Sequence, residues 1–341
     1  MTHGSGTGLL TRVPLNVLDL VPVVEGGSAS SAIEDTTALA QQVESLGYQR
    51  YWMAEHHNMT GVASSSTAVL IAHVAARTRT IRVGAGGIML PNHAPLVVAE
   101  QFGTLAAIHG DRIDLGLGRA PGTDPLTAYA LRRDELAATD FGAEVAQVQR
   151  FLGPADETAR VRAVPGEGTN VPIWILGSSH GGAQVAAMMG LPYSFASHFA
   201  PAMLLSALDL YRTTFRPSVG ANGRDKPYTM AAANVMVADT EDEARLLWSS
   251  TLQRFHGIVT GRRGLLPEPV PDPERGWTHA ERAAIEQMTA VSFVGTPVTV
   301  RDGLEAFVRH TGVDEVIVSC APHDAAARRR SLQLLAEAWH G

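Results

Sequence analysis

Glu55-His56-His57-Asn58 places a carboxylate, two imidazoles and an amide side by side, directly after the apolar run Tyr51-Trp52-Met53-Ala54. Imidazole is the side chain suited to moving protons near neutral pH, and a neighbouring carboxylate can orient it. The same atoms could ligate a metal. However, adjacent side chains of a strand point to opposite faces, and no His-x-His follows the first strand, so no metal is expected. A plainer reading is a solvated strand end whose polar residues cap a loop. A second group lies further on. Arg119 ends the run Arg112 to Arg119, and Gly177-Ser178-Ser179-His180-Gly181-Gly182 joins an apolar run to a helical one. Ser178, Ser179 and the amides of Gly181-Gly182 could open a helix N-terminus that cradles phosphate, with Arg119 completing the site. The same hexapeptide formally matches the G-x-S-x-G nucleophile elbow, which would make Ser179 a hydrolase nucleophile with Asp239 and His323 as partners. His180 and His198 stand at strand ends, as pocket members or as surface residues, whereas His73 lies within a helical pattern.

Glycines inside apolar runs need a reason. Gly86-Gly87 suggests a bulge, an unusual peptide geometry, a ligand lying on the backbone, or a bulky neighbour filling the space. Gly116-Leu117-Gly118 resembles the opening of a dinucleotide fingerprint, but Pro121 stands where its third glycine belongs, which argues against a Rossmann domain.

The elements that must position these residues alternate. Strand-like runs are Pro14 to Leu20, Gln49 to Ala54, Ile81 to Leu90, Arg112 to Arg119, Pro172 to Leu176, Pro192 to Ala196, Tyr228 to Val237 and Glu315 to Ser319. Helical patterns intervene, the first from Ala32 to Leu46 with Glu34 and Asp35 in its first turn, the second after a Ser64-Ser65-Ser66 cap. Eight strands alternating with helices predict a TIM-type (β/α)8 barrel with loop insertions, whose ligands meet the C-terminal strand ends. The Pro/Arg/Gly-rich stretch Gly257 to Trp277 is an expected lid. Residues 1–12 are expected to be a flexible tail and 13–341 a single barrel domain.

Composition narrows the partners. A length of 341 residues, 45% hydrophobic, suffices for one large core. The net charge of −7 and the absence of basic runs argue against nucleic acid and anionic membranes. No stretch is long and apolar enough to span a bilayer. One cysteine, Cys320, excludes an internal disulfide and fits a reducing cytoplasm. A small organic substrate is the expected partner, with Met53, Met89 and Phe199 as a possible apolar lining, and a homodimer is expected.

Glu55-His56-His57, the run Val83 to Pro91, Arg112 to Arg119, Ala196 to Pro201, Gly177 to Gly182 and Thr311 to Val318 together resemble the bacterial luciferase-like flavin monooxygenases over nearly the whole chain. The resemblance implies His56 as the catalytic imidazole and Gly86-Gly87 as a non-proline cis peptide behind the flavin ring, with Glu55 at the cofactor site. It further implies that Arg119 and the turn Ser178, Ser179, Gly181 and Gly182 hold the flavin phosphate. Gly118 and Gly177 replace a reactive cysteine and an acidic residue of luciferase proper. The implied chemistry is reaction of reduced FMN, supplied by a separate flavin reductase, with dioxygen to a flavin hydroperoxide that oxidises a small, hydrophobic substrate. A related branch uses a deazaflavin on the same barrel, and a flavin-storage role also stays open.

Overall fold

The computed structural model describes residues 13–120, 124–131, 140–218 and 222–341. The stretch expected to be a flexible tail and the position of Pro121 lie outside them. Strand alternation decides the architecture, because each strand buries both faces. In β1 (Leu15–Asp19), Leu15 and Val17 join the large outer core while Leu18 points inward; in β2 (Arg50–Met53), Tyr51 and Met53 point outward and Trp52 inward. The other strands are β3 (Arg82–Met89), β4 (Ile113–Gly118), β5 (Ile173–Gly177), β6 (Tyr193–Phe195), β7 (Thr229–Val237), β8 (Ser292–Gly295) and β9 (Glu315–Ser319). All pairings between them are parallel, and β6 pairs β7, so β1 to β7 with β9 close an eight-stranded barrel. This is the expected TIM-type barrel.

A ninth strand, β8, pairs only with the outer half of β7, Val237 opposite Gly295. Four residues between helical stretches carry too little periodicity to betray a strand. The helices are α1 (Ala29–Ser45), α2 (Thr67–Ala75), α3 (Pro95–His109), α4 (Pro125–Ala130), α5 (Phe141–Leu152), α6 (His180–Met189), α7 (Leu204–Thr214), α8 (Glu241–Val259), α9 (His279–Met288), α10 (Pro297–Thr311) and α11 (Ala325–His340). The first begins earlier than expected, because Ser28 and Ser31 form a reciprocal capping box, so Glu34 and Asp35 fall beyond its first turn. Nor does the serine triplet cap α2: Ser66 makes no capping bond, and the Ser64 hydroxyl donates to the carbonyl of Ala54 at the end of β2.

Inside the barrel the residues stack in layers. At the N-terminal end lies a charged layer. Asp114, fully buried, accepts from Arg50 Nη1 at 2.6 Å, from Arg82 Nη2 at 2.7 Å and from Trp52 Nε1 at 3.1 Å. Glu315 takes both Nε and Nη2 of Arg50 at 2.9 and 3.0 Å and a bond from Tyr228 at 2.8 Å. Every carboxylate oxygen is therefore engaged by a donor, the condition under which a buried charge is tolerated. Above it Trp52 and Trp174 meet edge to face at 5.4 Å among Leu18, Met230 and Ile317. Trp52 and Leu18 crowd Gly86, and neighbouring backbone crowds Gly87 and Gly116. A Cβ on Gly86 would lie 2.8 Å from Leu18 Cδ1 and 3.0 Å from Trp52 Cβ, one on Gly87 2.7 Å from the carbonyl oxygen of Gly116, and one on Gly116 2.2 Å from that of Ala85. Close packing of β3 on β4, rather than a nucleotide, accounts for Gly116. The Gly86–Gly87 peptide is cis, the geometry the resemblance implied.

The stretch 257–277 is fastened over the C-terminal end of the barrel. Leu266 forms a bridge with Val24 past β1, donating to Val23 and accepting from Glu25 at 2.8 and 2.9 Å, and Gly61 past β2 packs directly on Gly264. The helix α8 leads into it, with Thr251 Oγ1 donating to the carbonyl of Ala321 just beyond β9 at 3.0 Å.

Candidate functional site

Chemistry-bearing groups gather at the C-terminal strand ends. Past β2, Glu55 is 1% exposed. Its Oε1 lies 2.8 Å from His57 Nε2 and 2.9 Å from His93 Nε2, and its Oε2 accepts the Met89 amide at 3.1 Å. Burial by itself would favour the protonated acid; the hydrogen bond and charge of His93, then the hydrogen bonds of His57 and of the Met89 amide, outweigh it and lower the pKa below its ordinary 4.5. Glu55 is thus a carboxylate that accepts from both imidazoles, fixing their orientation. Two residues apart, Glu55 and His57 fall on one side, as strand alternation predicts. With His93 they place three potential ligand atoms within 4.8 Å of one another. The residue sequence reasoning missed is His93. It stands between Pro91 and Pro95, immediately past β3, where a polar strand end was the available signal.

His56 turns the other way. Its amide donates to Ser64 O at 2.9 Å, which pins the loop, and its half-buried ring is close enough to act electrostatically on His198 past β6. His198 is itself buried, with Phe199 edge-on at 4.9 Å. Burial, then the charge of Arg254 and then that of His56, depress its pKa to about 3, so its imidazole is neutral. Two histidines, His56 and the uncharged His198, therefore lie within electrostatic reach of each other past β2 and β6.

Past β4 and β5, Arg119 and the start of α6 come together. The helix α6 starts at His180 with Ser179 as its N-cap, and the Ser179 hydroxyl makes no capping bond. Arg119 lies against this first turn: its Nη1 is 2.9 Å and its Cζ 3.2 Å from where a Cβ on Gly181 would be. Gly177 and Gly182 also approach closely, a Cβ on either falling 3.4 Å from the other's Cα. Asp114 and Asp124, which could have neutralised Arg119, are engaged elsewhere, by Arg50 and Arg82 and by Asn58 and Thr127 respectively. A guanidinium, two serine hydroxyls and the free amides of a helix start suit a phosphate.

The hydrolase constellation does not assemble. His323 binds the carbonyl of Glu25 at 3.0 Å, Asp239 pairs with Arg330 at 3.0 Å, and His180 bonds to Ser206 at 2.8 Å, so neither His323 nor His180 is set to activate Ser179. Nor does Met53 line the pocket: wholly buried, it belongs to the outer core. Met89 packs against Gly118 at the strand end, and Phe199 is exposed beside His198. Among the described residues no helix is long and apolar enough to cross a membrane.

The comparisons agree with this geometry. Residues 15–315 match the family described as luciferase-like monooxygenase. The Bacillus subtilis (strain 168) protein YvbT is 47% identical over 326 residues, covering 95% of this chain and 96% of that one. A luciferase-like monooxygenase of Escherichia coli (strain K12) is 46% identical over 323 residues, covering 94% and 96%. The crystal structure of apo-MsnO8 superposes with a TM-score of 0.87 at 36% identity, covering 96% of this chain and 98% of that one. A parallel eight-stranded barrel with these groups at its C-terminal strand ends, matched across nearly its full length by these proteins, belongs to the luciferase-like monooxygenase family.

Proposed function

We propose that the chain is a flavin-dependent monooxygenase that uses reduced FMN, delivered by a separate flavin reductase, and dioxygen to oxidise a small organic substrate. The observation that carries this reading is the guanidinium of Arg119, seated on the first turn of α6 without a carboxylate partner among the described residues. It supplies the charge a flavin phosphate requires, at the strand ends where barrel ligands sit. When bound, the reduced flavin supplies the electrons that activate dioxygen. The chain's own residues do the rest. Arg119, Ser178, Ser179 and the amides of Gly181 and Gly182 hold the phosphate, and Gly86-Gly87 gives a floor without side chains where the ring lies. His56 gives or accepts a proton at the mouth, and Glu55 orients the neighbouring His57 and His93. The stretch 257–277, fastened to the loops past β1 and β2, keeps bulk water from the reaction.

The test is a titration of the purified protein with FMN, riboflavin and a deazaflavin phosphate, followed by oxygen uptake with a flavin reductase and NADH. Micromolar, phosphate-dependent FMN binding is expected, with labelling of Ser179 by a fluorophosphonate absent. Preference for the deazaflavin would replace the oxygenase reading with a deazaflavin oxidoreductase. Failure to bind either would remove both.

A further inference from the structure

The mouth holds polar groups that the chemistry above does not use. His198 is 9% exposed, and its Nδ1 has no hydrogen-bond partner among the described residues. Across from it, α8 carries Ser250 and Arg254, one turn apart and so on one face. Ser250 is fully buried, and its hydroxyl likewise has no partner among the described residues. That part of α8 is held at the mouth from both sides, by Thr251 on the carbonyl of Ala321 and by Gln253 Nε2 on that of Glu268 at 2.9 Å. Arg254 is half-buried and has no hydrogen bond or ion pair among the described residues; its neighbour in charge is another cation, Arg328. Burial and that charge push its pKa down to about 10, and Arg254 in turn acts on His198. A half-buried guanidinium thus acts on a neutral imidazole, a buried hydroxyl stands one turn away on the same face of α8, and among the described residues no carboxylate pairs with the guanidinium.

An uncompensated cation of this kind is costly, and the cost is recovered when an anion arrives. The flavin phosphate already has its cradle on the β4 and β5 side. We propose that Arg254, His198 and Ser250 form a second anion subsite that recognises the substrate, and that the substrate is a small organic acid whose carboxylate or sulfonate docks there. This rests on the reading of the mouth as the oxidation site, since His56 acts on the same His198. The neutral imidazole and the hydroxyl donate to the oxyanion beside the guanidinium, and the remainder of the acid extends toward His56. A neutral analogue of the same shape leaves Arg254 unpaired and binds weakly.

The experiment is calorimetric, on the full chain without cofactor, with hexanoate, hexanesulfonate and hexanamide as probes. Hexanoate or hexanesulfonate should bind at least tenfold tighter than hexanamide, and the one preferred identifies the acid. Arg254→Gln should weaken the preferred acid about ten- to hundredfold without changing hexanamide. Arg254→Lys should restore part of the loss, and Ser250→Ala should give a smaller loss. Unfolding curves check that each variant is folded. Equal affinities for acid and amide, no binding of any probe at millimolar concentration, or an Arg254→Gln variant that binds as the wild type does, would each overturn the proposal. So would a loss of FMN but not riboflavin affinity in Arg254→Gln with hexanoate binding intact, because Arg254 would then serve the cofactor phosphate. FMN titration of the wild type is read separately, so a failure of the monooxygenase reading is distinguishable from a failure of the acid subsite.

Discussion

The guanidinium of Arg119 lies directly against the backbone of Gly181, its Nη1 2.9 Å from the position a Cβ would take. A side chain on Gly181 therefore displaces the arginine from the first turn of α6 without touching the core, since the colliding atoms are the far end of a flexible chain. Gly181→Ala should weaken FMN by about fivefold, or ~1 kcal/mol, and Arg119→Ala by roughly 1.5–3 kcal/mol, about ten- to hundredfold. Riboflavin, which lacks the phosphate, should change little in either variant. Equal weakening of both ligands would assign Arg119 to the ring or to the fold.

Much of this site was legible before the fold was known, and the reason is geometric. Strands end where their apolar alternation stops, so Glu55, His56, Arg119 and His198 announce themselves as polar residues at strand ends. What the sequence concealed depends on contacts between distant segments. Nothing local says that His93 closes on Glu55, that Asp114 is consumed by Arg50 and Arg82, or that α8 folds back over the mouth and brings Arg254 to His198. Met53 was misplaced for a related reason. Its parity with Tyr51 points it outward, but an apolar residue next to a site reads as lining until the inner and outer faces are known.

The charged layer beneath the tryptophans is a stability element rather than a functional one. Asp114 is fully buried and serves two arginines, so Asp114→Ala leaves both without their shared counter-charge. Removing one partner of a buried pair costs about 3–5 kcal/mol. Urea unfolding should show a loss of this size, with phosphate-dependent FMN binding retained while the protein is folded. A loss below about 1 kcal/mol would mean that solvent reaches this layer.

Glu55 gives a pH dependence of definite sign. Its folded pKa is lowered from 4.5, so its contribution to stability is present above that value and is lost as pH falls through the folded pKa. Glu55→Gln should be less stable than the wild type at pH 7 by about 1–3 kcal/mol, the scale of a disrupted charge-assisted network. The gap should narrow below about pH 4.5, as the wild-type carboxylate takes up its proton. Melting temperatures of both proteins from pH 7 to pH 3 make the check; a gap that stays constant would show that the Glu55 carboxylate titrates alike in the folded and unfolded chain.

His56 and His57 are neighbours in sequence, and substituting them one at a time tests catalysis against architecture. The amide of residue 56 is bound to Ser64 O at 2.9 Å, a bond that survives any substitution except proline. His57 uses its side chain, with Nε2 on the buried carboxylate of Glu55 at 2.8 Å. His56→Ala should therefore melt within a degree or two of the wild type and bind FMN normally, yet lose substrate oxidation by about 10²–10⁴, the range for removing a proton-transferring group. His57→Ala should lower the melting temperature, since it leaves a buried carboxylate one donor short, at a cost of about 1–3 kcal/mol. Oxidation should be measured with the reductase in excess, so that flavin supply does not set the rate. If His57→Ala abolishes turnover with stability intact while His56→Ala turns over as the wild type does, the proton-carrying role passes from His56 to the Glu55-bound imidazole.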